Sequence, residues 1–230
     1  MLTSLALVFL IGLAMAALCQ QLHLPRIIGM LLTGILLGPY VLNWLDPSIL
    51  SISSDLRQMA LLIILIKAGL SLNLADLKKV GRPAVMMACV LKARCVPAVS
   101  GRLAEKFGKL WLAAEVILFV LVGAAVDIRY TLAAGVPAVA MILLALVFRA
   151  AGVCLCMAGT ALNRKERLFC VIAYLPKATV QAAIGSVPLA MGLPCGQIVL
   201  SVAVLAILIT APLGAIGMDA TYKRLLEKQA

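Results

Sequence analysis

Residues 170–190 read CVIAYLPKATVQAAIGSVPLA. The stretch has the length and apolar content of a membrane helix, about 20 residues, yet a proline and a lysine interrupt it near its middle. Pro176 removes a backbone donor and breaks the regular ladder of helical hydrogen bonds. Lys177 places an ammonium where insertion scales charge about 2.5–3.5 kcal/mol for it. Thr179 and Gln181 follow, with polar groups that re-satisfy backbone carbonyls freed by the break. Gly185 and Pro188 loosen the next turn. A proline-broken, polar helix at mid-membrane is one way in which ion sites are built, with half-helix ends facing the ion.

The rest of the chain supplies the membrane context. Of 230 residues, 64% are hydrophobic and 13% are charged, about half the charged content of soluble domains. Long apolar runs recur from end to end and do not alternate, which selects helices over a closed barrel. Expected spans cover 2–19, 27–44, 57–75, 110–128, 132–160, 168–192 and 196–217. The fold class is thus an all-α polytopic membrane protein of about seven transmembrane helices, with eight as the alternative. The eighth would be 83–100, where Lys92, Arg94 and Pro97 follow an apolar start. Residues 2–18 have no preceding Lys or Arg, so they read as a first span rather than a cleaved signal.

The net charge of +11 sits in short loops, which points to orientation in a bilayer rather than to nucleic acid. Basic residues fill 76–82, 92–109, 161–167 and the tail, whereas 45–56 holds Asp46 and Asp55 with no base. If 83–100 does not cross, all the strongly basic stretches lie on one side. That places the N-terminus outside and the C-terminus in the cytoplasm, in a cell membrane. The organisation becomes 1–90 as N-terminal membrane helices, 91–109 as a re-entrant or surface junction, and 110–218 as C-terminal membrane helices broken near 174–181. Residues 219–230 form a cytoplasmic tail. The seven cysteines are odd in number and scattered within apolar runs, and they read as small buried hydrophobes. His23, the sole histidine, falls in a loop, so neither a metal site nor a cofactor is expected.

Ionisable side chains inside spans are functional candidates by default. They are Lys67, Arg149 and Lys177, with Glu115 about a turn inside the fourth span and Asp127 near its end. Each has a plainer alternative. Asp127 suits a membrane boundary, Glu115 suits snorkelling to the inner surface, and Lys67 and Arg149 suit structural ion pairs. Lys177 has the weakest plain alternative because of its broken context. Three deep bases face at most two acids within spans, so the deep cations are under-partnered within this chain. Gly34 and Gly38 form GILLG in the second span, a motif of close helix packing.

The segments LPRIIGMLLTGILLGPYVL (24–42), LLIILIKAGLSLNLADLKK (61–79), FVLVGAAVDIRYTL (119–132) and above all YLPKATVQAAIGSVPLA (174–190) resemble the cation:proton antiporter superfamily. The likeness is to the mitochondrial-type sodium/hydrogen exchangers and their bacterial cousins, over roughly 1–90 and 102–220. The resemblance implies an inverted-repeat antiporter, homodimeric, exchanging Na+ or Li+, with K+ as a further candidate, for H+ across the bilayer. It implies that LPKATVQ is the later of two crossed unwound helices. Lys177 would then be a charged partner in the core, and Arg149 a base that pairs with an acid. About five spans of that pattern, carrying the paired Asp-Asp or Asn-Asp, have no counterpart here, and no adjacent DD or ND occurs. The junction ACVLKARCVPAVSGRL (88–103) resembles an early span joined directly to a later loop. Two functional expectations follow: a cation:proton antiporter, or a non-transporting scaffold that associates with a full-length relative. An enzyme is not expected, since HExxH, GxSxG and a Ser/His pairing are all absent.

Overall fold

The computed structural model describes residues 1–71, 97–158, 160, 163–176 and 178–225. Among them the chain folds into nine helices. They are α1 (Leu2–Gln21), α2 (Arg26–Leu37), α3 (Pro47–Ser51), α4 (Ser53–Ser71), α5 (Pro97–Ala124), α6 (Ile128–Met157), α7 (Arg164–Ala173), α8 (Thr179–Ala190) and α9 (Gly196–Leu225). No strand occurs among the described residues. The all-helical outcome follows from the bilayer, where a helix satisfies its own backbone donors and acceptors.

Among the described residues, four helical segments are long and apolar enough to cross a membrane: Leu2–Gln21, Glu105–Ala124, Gly135–Met157 and Gly196–Leu225. The other three expected spans have identifiable departures. Helix α2 has only 12 residues, about 18 Å at 1.5 Å per residue. Helix α4 has 19 residues but carries Asp55, Arg57 and Lys67. The 168–192 span is two short helices, α7 and α8, separated by residues that are not helical. The second half of the 91–109 junction is helical, because Pro97 opens α5. Residues 72–96, which include Lys92 and Arg94, lie outside the described residues.

Local sequence sets the helix ends. Asp46 accepts a hydrogen bond from the Ser48 amide at 2.9 Å ahead of Pro47, the first residue of α3, as expected of an N-cap followed by proline. Asp127 caps α6 in the same way through the Arg129 amide at 2.9 Å. At α7, Glu166 reaches back to the Asn163 amide at 2.9 Å, the reciprocal half of a capping box. Within α6, Gly135 adopts φ +35° and ψ −131°. This conformation is open to glycine, and with Pro137 two residues on it kinks the helix.

The core centres on α5, which packs against α1, α2 and α4. Val116, Leu118, Phe119, Val120 and Val122 of α5 are fully buried, with Met30, Leu31 and Thr33 of α2 and Val8 of α1. Gly34 and Gly38 make the close packing expected of GILLG. A Cβ on Gly34 would collide with the Val120 carbonyl, and one on Gly38 would lie 2.9 Å from the Ala124 carbonyl. Gly123 of α5 returns the contact, its absent Cβ making room for the Leu31 carbonyl. Backbones that approach this closely gain van der Waals contact where no hydrophobic drive exists between helices in lipid.

The remaining helices assemble around α9, which contacts α6, α7 and α8. Helix α8 touches α4 and α5, and α9 touches α2, which joins this group to the core. Of the five described cysteines only Cys19 is buried; Cys170 is half-buried, and Cys154, Cys156 and Cys195 are exposed. The expectation of buried cysteines is corrected here. Cys154 and Cys156 lie on α6, which makes few contacts with the bundle. There the apolar surroundings a cysteine prefers come from lipid and not from other side chains. Cys195 lies in the turn before α9.

Candidate functional site: a broken helix beside Arg149

Helix α7 ends at Ala173. The Tyr174 and Leu175 amides donate to the Cys170 and Ile172 carbonyls, both at 3.1 Å. Pro176 then has no amide to continue the ladder. Ala178, at φ −146° and ψ −85°, precedes the first residue of α8, and its carbonyl accepts from the Ala182 amide at 2.9 Å. The expected break is therefore present: Tyr174, Leu175, Pro176 and Ala178 lie between α7 and α8 and belong to neither helix. Gly214 of α9 fixes its position, since a Cβ there would collide with the Pro176 ring. Gly217 does the same for α7, where a Cβ would lie 2.9 Å from Ile172.

The break opens onto a cavity of about 690 Å³ lined by Arg149 of α6, Pro176, Ala178, and Thr179 and Gln181 of α8. The Arg149 guanidinium stacks on the Tyr174 ring, 4.8 Å from its centroid. Two polar atoms here, Nε of Arg149 and Oε1 of Gln181, are buried without a hydrogen-bond partner. Buried polar atoms are normally satisfied. A donor and an acceptor left open beside one cavity therefore mark a place for a polar occupant, water or ion. Lys177 lies outside the described residues.

The other candidates fall elsewhere. Lys67 of α4 places its ammonium 3.5 Å from the centroid of the Trp111 ring of α5. Glu115, one turn beyond Trp111, is only 5% exposed, and its Oε2 has no partner. It is buried and does not snorkel to a surface, and it lies within electrostatic reach of Arg26 and Lys67. A structural ion pair was the plainer alternative for Lys67 and Arg149. Each instead meets an aromatic face, a cation–π contact worth about 0.5–2 kcal/mol, and among the described residues neither makes a salt bridge. Asp127 acts as the α6 cap, consistent with a membrane boundary. The structure thus brings Arg149, Pro176, Thr179 and Gln181 to one cavity, Lys67 and Glu115 to the α4–α5 contact, and Gly34 and Gly38 to the α2–α5 contact.

Sequence reasoning missed Tyr174 and Trp111 as cation partners and missed the buried Arg57. The aromatic partners had a usable signal only in part. Tyr174 adjoins the break in sequence, but Trp111 is far from Lys67 along the chain and meets it only through packing.

An interrupted helix beside a cavity that carries unpartnered polar atoms, in a bundle of apolar helices, defines a class, the ion-transporter-like membrane proteins. The sodium/hydrogen exchanger transmembrane family matches residues 5–104 and 96–223, so the chain belongs to that family. It is 40% identical to sodium/hydrogen exchanger 9B2 of Mus musculus over 127 residues, 51% of this chain and 23% of the relative. It is 39% identical to the Homo sapiens 9B2 protein over 127 residues, 51% of this chain and 24% of the relative. Against sodium/hydrogen exchanger 9B1 of Homo sapiens it is 37% identical over 130 residues, covering 52% of this chain and 25% of that protein. The chain spans about a quarter of the length of these relatives.

Proposed function

We propose that this chain exchanges a monovalent cation, Na+ or Li+ with K+ as a further candidate, for H+ across the cell membrane. It does so as a homodimer with the N-terminus outside and the C-terminus in the cytoplasm. The observation that carries the proposal is the helix broken between α7 and α8 over a cavity holding unpartnered polar atoms of Arg149 and Gln181. Half-helix ends and freed carbonyls at such a break provide the fixed dipoles an ion needs once its water is stripped. Lys177 and Arg149 set the local charge, Pro176 holds the break open, and Thr179 and Gln181 offer oxygen ligands. The chain moves ions and makes or breaks no covalent bond. Family membership supports cation and proton as the exchanged pair.

A second reading rests on a specific observation. The chain spans about a quarter of its relatives, and no adjacent pair of acidic residues occurs in it. On that reading it is a non-transporting scaffold bound to a full-length antiporter. Proteoliposomes separate the two. Under exchange, a Na+ or Li+ pulse collapses an imposed pH gradient, and Lys177→Ala slows the collapse. A gradient unmoved by any of the three cations, with co-purification of a longer relative, overturns exchange in favour of the scaffold.

A further inference from the structure

The ion-exchange reading makes no use of Arg57, near the start of α4. Its side chain is only 6% exposed. It donates one long hydrogen bond, 3.4 Å, to the Leu121 carbonyl in the last turn of α5, and its Nε has no partner. Among the described residues no carboxylate lies within ion-pair distance of it. A guanidinium keeps its charge at any working pH and offers five donors. The carbonyl end of α5 offsets part of that charge, but most of the donors still need an acceptor.

Two cavities flank the side chain, about 350 Å³ between α4 and α8 and about 290 Å³ toward the loops after α2 and α5. Ser54 and Arg57 line both. The larger one has a mixed wall, with Asp55 and Ser54 at one end and Leu61, Ile184 and Val187 along the other. Ile184 and Val187 are exposed on the outside of the bundle, so this cavity opens sideways toward hydrocarbon. Arg57 lies within about a turn of the start of α4 and beside the last turn of α5, which sets it at headgroup depth.

We propose that this cleft seats a phospholipid whose headgroup carries a phosphate and a primary ammonium. The phosphate accepts from Arg57, the ammonium donates to Asp55, whose Oδ1 also accepts from the Ser54 hydroxyl at 3.4 Å, and an acyl chain lies along Leu61, Ile184 and Val187. Such a lipid complements both the charges and the apolar wall of the cleft. A free inorganic anion meets the Asp55 charge and leaves the apolar wall empty. The glycerol headgroup of phosphatidylglycerol offers Asp55 only neutral hydroxyls and no positive charge, and a quaternary ammonium has no N–H to donate. Lipid phosphates are common partners of basic pockets between membrane helices.

The test uses the full chain purified in detergent and given phosphatidylethanolamine, phosphatidylglycerol or phosphatidylcholine of matched acyl chains, or inorganic phosphate. Lipid retention is read by native mass spectrometry alongside the thermal midpoint. Phosphatidylethanolamine is retained best and raises the midpoint most. Arg57→Gln weakens its retention about tenfold or more. Asp55→Asn abolishes the preference over phosphatidylglycerol. Equal retention of the lipids by the unaltered chain, or the full effect from inorganic phosphate alone, overturns the proposal. Should Arg57→Gln fail to fold, Asp55→Asn decides: an unchanged preference for phosphatidylethanolamine overturns it. The readout is binding, so it stands or falls separately from ion exchange.

Discussion

Helices α5 and α6 are near neighbours in sequence and of similar length, yet their surroundings are opposite. In an 18-residue apolar stretch of α5, 56% of the residues are buried, against 6% in a stretch of the same length in α6. Helix α5 is locked by reciprocal glycine contacts with α2 and is covered on further sides by α1 and α4. Helix α6 touches mainly α9 and α7 and turns Leu143, Leu144, Val147 and Phe148 outward. The first region is a packed anchor in which backbones meet. The second is a lipid-facing frame around a polar break. Apolar composition alone does not distinguish the two, because lipid and protein interior are equally apolar surroundings.

The largest expected contrast compares two phenylalanines. Phe119 is fully buried and Phe148 is 70% exposed. Phe119→Ala leaves a cavity and destabilises by about 3–5 kcal/mol, read as a lower thermal midpoint in detergent. Phe148→Ala stays within about 0.5 kcal/mol of the unaltered chain, as for surface changes. Equal losses at the two sites would erase the distinction between anchor and frame.

A smaller contrast sharpens it at the backbone. Gly34→Ala forces α2 away from the Val120 carbonyl and destabilises by about 1–3 kcal/mol. At Gly152 of α6, where a Cβ meets nothing within 4 Å, Gly152→Ala is neutral or stabilising by up to about 1 kcal/mol, the helix-propensity gain. Fluorescence-detected size-exclusion after graded heating reports both changes. A Gly34→Ala protein that melts with the unaltered chain would mean that α2 and α5 do not touch.

How much of this was legible in the sequence depended on range. The break between α7 and α8 was readable because its causes, Pro176 and the polar residues after it, are adjacent in the chain. Gly34 and Gly38 were readable as a packing face because their spacing of four sets them on one side of a helix. Their partners in α5 were not, since nothing local to GILLG names Val120 or Ala124. Arg149 and Gln181 were singled out separately, but their shared cavity depends on how α6 and α8 sit around α9. Lys67 and Arg149 were read as deep cations short of acidic partners, and both lie over aromatic rings, Trp111 and Tyr174, which nothing in the local sequence pattern named. Arg57 lay at the edge of an expected span, where sequence alone gives an interfacial position; only packing revealed that α5 and α8 enclose it.

Ion exchange at the broken helix requires water to reach it while α6 beside it faces lipid. In a chain freed of its native cysteines, single substitutions Gln181→Cys and Leu144→Cys can be treated in liposomes with a membrane-impermeant, water-soluble thiol reagent. Gln181→Cys is expected to react, whereas Leu144→Cys stays unmodified. An inert position 181, or equal reaction at 144, would contradict a water-accessible cavity at the break.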